Sequence, residues 1–114
     1  MLLLNHKKLN VYQKSIESVS EIYFLTQHFP SHEKFGLTSQ LRRSAISVPS
    51  NIAEGAARKT AKERKRFYQI SRSSLVELDT QIGISLSLNY LTKEQINKLE
   101  KNTNELFAML SAMI

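Results

Sequence analysis

Apolar residues in this chain recur at alternating three- and four-residue steps, and only three Gly and two Pro interrupt its 114 residues. A period near 3.6 lines such positions up on one face of a helix. So few turn-forming residues exclude a turn-rich β-sandwich or barrel. A first helix is predicted over residues 8–28, with Leu9, Tyr12, Ile16, Val19 and Tyr23 as its seam. His28-Phe29-Pro30-Ser31 ends it, because the residue before a proline is pushed out of the helical region. A second is predicted over residues 38–55, capped by Thr38 or Ser39, with Leu41, Ala45, Val48 and Ile52 pointing inward. A stripe of compact residues, Ile46, Pro49, Ala53 and Ala57, lies beside that seam. Pro49 removes a backbone donor and crowds the carbonyl of Ala45, so a kink or break is expected there. Gly55 is a candidate terminator.

Thr60-Ala61-Lys62-Glu63 has the form of a capping box and opens a third helix over residues 61–89. Asn89-Tyr90-Leu91-Thr92 makes a tight turn, and Thr92-Lys93-Glu94-Gln95 is a second box that opens a fourth helix over residues 93–113. Its seam is Ile96, Leu99, Thr103, Leu106, Leu110 and Met113. Four amphipathic helices with short links predict an all-α fold, an antiparallel up-down four-helix bundle forming one domain over residues 1–114.

The chain carries a net charge of +6, and the excess is local. Between Arg42 and Arg72 there are nine bases and two acids, a net of +7. Two readings fit: a patch for a polyanion, or a solvated face that keeps the protein in solution. Helix geometry sharpens the first. At about 100° per residue, Lys62, Lys65, Arg66, Gln69 and Arg72 share one arc, with Arg58 and Lys59 extending the row into the preceding loop. Phe67, Ile70 and Leu78 are expected on the opposite, core-facing side. Tyr68 sits near the boundary, where it would either pack in the bundle or stack on a base. No zinc finger, RRM or helix-turn-helix accompanies the row, so the expected binding is to backbone and shape and is strongly salt-dependent.

Catalytic signals are lacking. Zero Cys removes a disulfide framework, a thiol nucleophile and Cys-ligated metal. His28 and His32 are four apart, but Phe29-Pro30 breaks the helix that would align them, and Glu33 alone does not complete a zinc site. There is no GxSxG elbow, GxGxxG or glycine-rich phosphate loop. The Glu-x-x-His pairs of di-iron bundles are missing too. A non-enzymatic protein without metal or cofactor is expected. Leu2, Leu3 and Leu4 are too short a run for a signal-peptide core, and no stretch approaches a membrane span, which sets the cytoplasm as the expected location.

The third helix holds more apolar residues than one seam needs: Leu75, Val76, Leu78, Ile82, Ile84, Leu86 and Leu88. With the compact stripe of the second helix, this leaves apolar surface for self-association or a partner. The expected oligomer contacts are Ile46, Pro49, Ala53, Ile84 and Leu88.

The run from Lys34 to Gly55, KFGLTSQLRRSAISVPSNIAEG, resembles the four-helix-bundle family of 23S rRNA intervening-sequence proteins. The similarity extends to Val11-Tyr12-Gln13-Lys14, Arg58-Lys59, the stretch SSLVELDTQ from Ser73, and Leu88-Asn89-Tyr90-Leu91 with Thr92. These proteins are encoded within insertions of bacterial large-subunit rRNA genes and elsewhere in bacterial genomes. The resemblance implies a homopentameric barrel with a central opening. A related branch, the accessory protein of diversity-generating retroelements, is a basic pentamer that binds nucleic acid and its reverse transcriptase. Carried over by position, the shared block contributes Arg42, Arg43, Pro49, Asn51, Glu54 and Gly55. Asn51 and Glu54 are read as buried or interfacial hydrogen-bonding groups, and Arg42 and Arg43 as facing a neighbouring subunit or a phosphate. The family transfers no catalytic residue. Five copies would multiply the charge and convert weak contacts into avidity. The expectation is a homo-oligomer that binds nucleic acid, RNA more than DNA, through Arg42, Arg43, Arg58, Lys59, Lys62, Lys65, Arg66 and Arg72. The alternative is a scaffold docking onto another protein such as a reverse transcriptase.

Overall fold

The computed structural model describes residues 1–114 and contains helices only. After a 3-10 turn at Asn5–Lys8, α1 spans Asn10–Thr26, α2 Leu37–Ala56, α3 Ala61–Ser87 and α4 Asn97–Ala112. Ser31–Glu33 forms a second 3-10 turn between α1 and α2. Side-chain contacts set the order. Arg42 reaches Thr26, Ser71 reaches Val48, Arg72 reaches Ser111 and Lys14 reaches Glu105, so each helix runs antiparallel to both of its neighbours. The result is a four-helix bundle with a core of Ile22, Leu41, Ile52, Leu78, Leu99, Leu106 and Leu110 at its centre.

The inward stripe of α2 lies as expected, with Leu41, Ala45, Val48 and Ile52 all buried. The helix is not broken at Pro49, and helical backbone runs through it. Around the missing donor, neighbouring carbonyls take extra side-chain partners. Ser50 Oγ donates to Ile46 O at 2.8 Å, Asn51 Nδ2 to Ser47 O at 2.8 Å, and Ser71 Oγ, from α3, to Val48 O at 2.8 Å. Gly55 does not end α2, which continues to Ala56. Its role is to admit the Tyr68 ring: a Cβ here would stand 2.7 Å from Tyr68 Cε1.

The seam assigned to α1 requires correction. The buried positions are Val11, Ser15, Ser18, Ile22, Leu25 and Thr26, whereas Leu9, Ile16 and Tyr23 are exposed. Small serines sit where α1 meets α4, and they trade apolar area for cross-helix bonds. Asn102 Nδ2 donates to Ser18 Oγ at 2.7 Å and to Lys14 O at 2.9 Å. Ile70 is likewise exposed rather than in the core, and Ser71 takes the inward position.

The helix ends follow local chemistry. Glu33, not Thr38 or Ser39, caps α2, its Oε1 accepting from Leu37 N–H at 3.2 Å. Gly36 makes room for this carboxylate, since a Cβ there would lie 2.7 Å from Glu33 Oε1. At the end of α3, Asn89 adopts φ 62°, Tyr90 N–H donates to Ser85 O at 2.9 Å and Asn89 N–H to Leu86 O at 3.0 Å. That pairing satisfies carbonyls the helix leaves open, and Asn tolerates the left-handed backbone it needs. The Thr92–Gln95 box forms reciprocally, at 2.9 and 3.2 Å, but it closes a turn that precedes α4 rather than its first residues.

Candidate nucleic-acid interface

The basic row occupies one end of the bundle, where α2 finishes and α3 begins. Thr60 caps α3, its hydroxyl accepting from Glu63 N–H at 3.2 Å. The connection is held by an arginine absent from the predicted site. Arg64 Nη1 donates to Arg58 O at 3.2 Å and to Lys59 O at 2.9 Å. Arg64 is two residues, about 200°, around the helix from Lys62, so it points away from the row and back over the loop after α2. A basic side chain in that position meets the carbonyls of the loop that joins the two helices. That signal was available in the spacing.

Arg58 is similarly committed. Its Nη2 pairs with Glu54 Oε2 at 2.9 Å, and its guanidinium lies over the Phe67 ring at 4.7 Å. Arg72, at the far end of the row, donates to Ser111 Oγ at 3.2 Å and stacks over Phe107, which makes it a tie between α3 and α4. Both keep their charge near the surface, but each is positioned by protein contacts.

The remaining cations are different. Lys62, Lys65 and Arg66 surround an open concavity of about 690 Å³ with Thr60, Glu63 and Gln69, and no apolar side chain lines it. Lys59 is exposed just before it. None of these four belongs to any of the three ion pairs of the chain. Glu63 is the single acid of the concavity. Unpaired cations on a wet, concave surface suit phosphate oxygens, which need charge and donors rather than an apolar floor.

Three expected participants are placed elsewhere. Tyr68 is buried against Gly55 and offers no face to a base. Arg42 lies fourteen residues, about 21 Å, before the end of α2. There its Nε donates to Thr26 Oγ1 at 3.0 Å and its guanidinium lies 4.4 Å from the Tyr23 ring centre, between α1 and α2. Arg43 is exposed on the outer face of α2, also far from the row. Of the shared block's polar residues, Asn51 bonds within α2 and Glu54 holds Arg58.

The expected oligomer contacts are scattered over the outer surface. Ile46, Ile84 and Leu88 are exposed and Ala53 half-buried, while Pro49 is covered within the single chain. Ser47 pairs with Ser74, which puts Ile46 level with Leu75, nine positions before Ile84.

At the opposite end of the bundle, Tyr90 OH donates to Glu33 Oε2 at 2.9 Å, with His32 Nε2 at 3.4 Å from the same hydroxyl. The Leu37 N–H and then the Tyr90 hydroxyl hold the Glu33 carboxyl below the usual carboxylate range. Glu33 thus serves as a helix cap, not as a partner for His28.

The family model for the 23S rRNA-intervening sequence protein matches residues 7–112. The chain belongs to that family. Among solved structures, this family member is similar to a protein of unknown function from the S23 ribosomal protein family of Bacteroides thetaiotaomicron VPI-5482. The TM-score is 0.81 at 21% identity, over 91% of this chain and 97% of the other. At that identity the likeness establishes the four-helix fold. No curated protein matches the chain. No helix of this family member is long and apolar enough to cross a membrane.

Proposed function

We propose that this 23S rRNA-intervening sequence protein is a non-enzymatic, cytoplasmic homo-oligomer, a pentamer by family resemblance, that binds structured RNA through its phosphate backbone. The observation that carries the reading is the set of cations left without ion-pair partners, Lys62, Lys65 and Arg66 around an open polar concavity and exposed Lys59 just before it. Arg58 and Arg64 order the loop beneath them instead of competing for the ligand. The family's association with rRNA favours RNA over DNA, and recognition rests on shape and charge because no side chain here is arranged to read a base edge.

The test is fluorescence anisotropy on an rRNA hairpin at about 100 mM salt, comparing the native chain with the double variant Lys62→Glu/Arg66→Glu. Acidic residues near the start of α3 favour the helix dipole, so the variant is expected to stay folded by circular dichroism. Affinity should fall by about tenfold or more as two phosphate contacts are lost and made repulsive. A folded double variant with native affinity would overturn the assignment.

A further inference from the structure

We propose that residues 1–4 of one copy of this chain seat in the groove between α3 and α4 of a second copy. The inference rests on the homo-oligomer reading and supplies a contact that reading lacks.

Two complementary features lie far apart on the molecule. Met1, Leu2, Leu3 and Leu4 are consecutive and exposed, Leu3 by 101% and Leu2 by 71%. Four large apolar residues left together in water are unfavourable unless something covers them. The Lys7 ammonium bonds to the Leu2 carbonyl, and Lys8 projects beside it, so the segment is apolar with a basic root. Residues 1–6 also precede the stretch matched by the family model.

The groove is the converse. Between α3 and α4 lie two adjoining cavities of about 190 and 260 Å³ that share Asp79 and Thr103 in their walls. Ile82, Leu86, Ile96 and Leu99 line the first, and Leu75, Val76 and Phe107 the second. Gly83 presents bare backbone there, with nothing within 4 Å of where a Cβ would stand. On the rim, Asp79 and Glu100 outnumber Lys93, and neither acid is in an ion pair. A mixed slot with apolar patches in its walls and a net acidic rim fits an apolar segment with two lysines at its root.

The segment cannot fill its own groove. The Asn5–Lys8 turn packs against α1 and α2, diagonally across the bundle from the α3–α4 seam. Across its two shorter axes the molecule measures 27 and 20 Å. Four extended residues span at most about 14 Å. The contact is therefore between copies, and it is head-to-tail, which closes into rings when the rotation permits.

The chain has no Cys, so introduced thiols report cleanly. Leu3→Cys and Gly83→Cys chains carrying different tags are co-expressed and treated with a short bismaleimide. Both sites are exposed or empty, so both variants should fold. The expected result is a cross-linked band bearing both tags, absent when Arg43→Cys replaces Gly83→Cys. A chain that self-associates by size exclusion yet gives no such band would overturn the arm placement and leave the oligomer standing. A chain that is monomeric throughout would overturn both. As an independent arm, Lys7→Glu/Lys8→Glu should weaken self-association several-fold, and adding Asp79→Lys/Glu100→Lys should restore it; failure of that restoration counts against the charge match.

Discussion

The two halves of α3 are built differently, although both lie between α2 and α4. The first half is sealed onto α2. Tyr68 lies against Gly55, Ser71 bonds the Val48 carbonyl, and Ser74 meets Ser47 at 2.8 Å. Beside the second half, around Gly83, the seam with α4 opens into a groove. Small residues act in opposite senses in the two places. At Gly55 the missing side chain is what lets two helices touch, and at Gly83 it leaves a gap that nothing in the chain fills. The basic row sits on the half packed closely against α2. The acidic groove sits on the open half, where the fold has room for a ligand.

The contrast can be broken most sharply at the glycines. Gly55→Ala puts a methyl 2.7 Å from the buried Tyr68 ring and 3.1 Å from Phe67 Cβ. Overpacking of this kind costs about 1–3 kcal/mol, to be read as a lower denaturant midpoint. An unchanged midpoint would mean that the Tyr68 ring moves freely and the seal is loose. Gly83→Ala has the opposite sign. Its Cβ meets nothing, its φ is not positive, and Ala is the better helix former, so stability should rise by about 0.5–1 kcal/mol. A loss of stability there would show that the groove is closed in solution.

The smallest expected effect belongs to the cap at the far end of the bundle. The Glu33 carboxyl is held below its ordinary range by Leu37 N–H and Tyr90 OH. A depressed carboxyl contributes stability above its unfolded pKa of about 4.3, and that contribution is lost as the pH falls through the folded value. Glu33→Gln should therefore lower the melting temperature at pH 7 and flatten its decline in acid. The change should leave RNA affinity untouched. The Lys14–Glu105 pair adds to the same acid loss, since the bond from Lys14 lowers the Glu105 carboxyl. It also fails in strong base, as Lys14, raised by the same bond, gives up its proton.

Much of the bundle is legible in the spacing, and the misreadings have a common cause. The α2 stripe and the capping Thr60 are where the pattern puts them, whereas the Thr92 box forms but does not open α4. The α1 seam and the place of Ile70 are misassigned because serines occupy core positions. Ser15, Ser18 and Ser71 are buried, and their hydroxyls find bonds that a hydropathy pattern does not register. An apolar stripe beside them then looks like the seam when it is the exposed shoulder. The basic row itself follows from helix geometry. What spacing does not reveal is which of its members are spoken for. Arg42 and Arg72 are held by Thr26 and Ser111, residues remote in sequence, and only the folded chain brings them together.

The central claim is that a few cations at the start of α3 bind phosphate, and the salt dependence of RNA binding tests it most directly. Each phosphate neutralised contributes about 0.7–0.9 to the slope of log K against log salt. The native chain should give a steep negative slope between about 50 and 300 mM, and Lys62→Glu/Arg66→Glu should flatten it by about 1.4–1.8. A flat native slope, or a double variant whose slope matches the native one, would contradict the account.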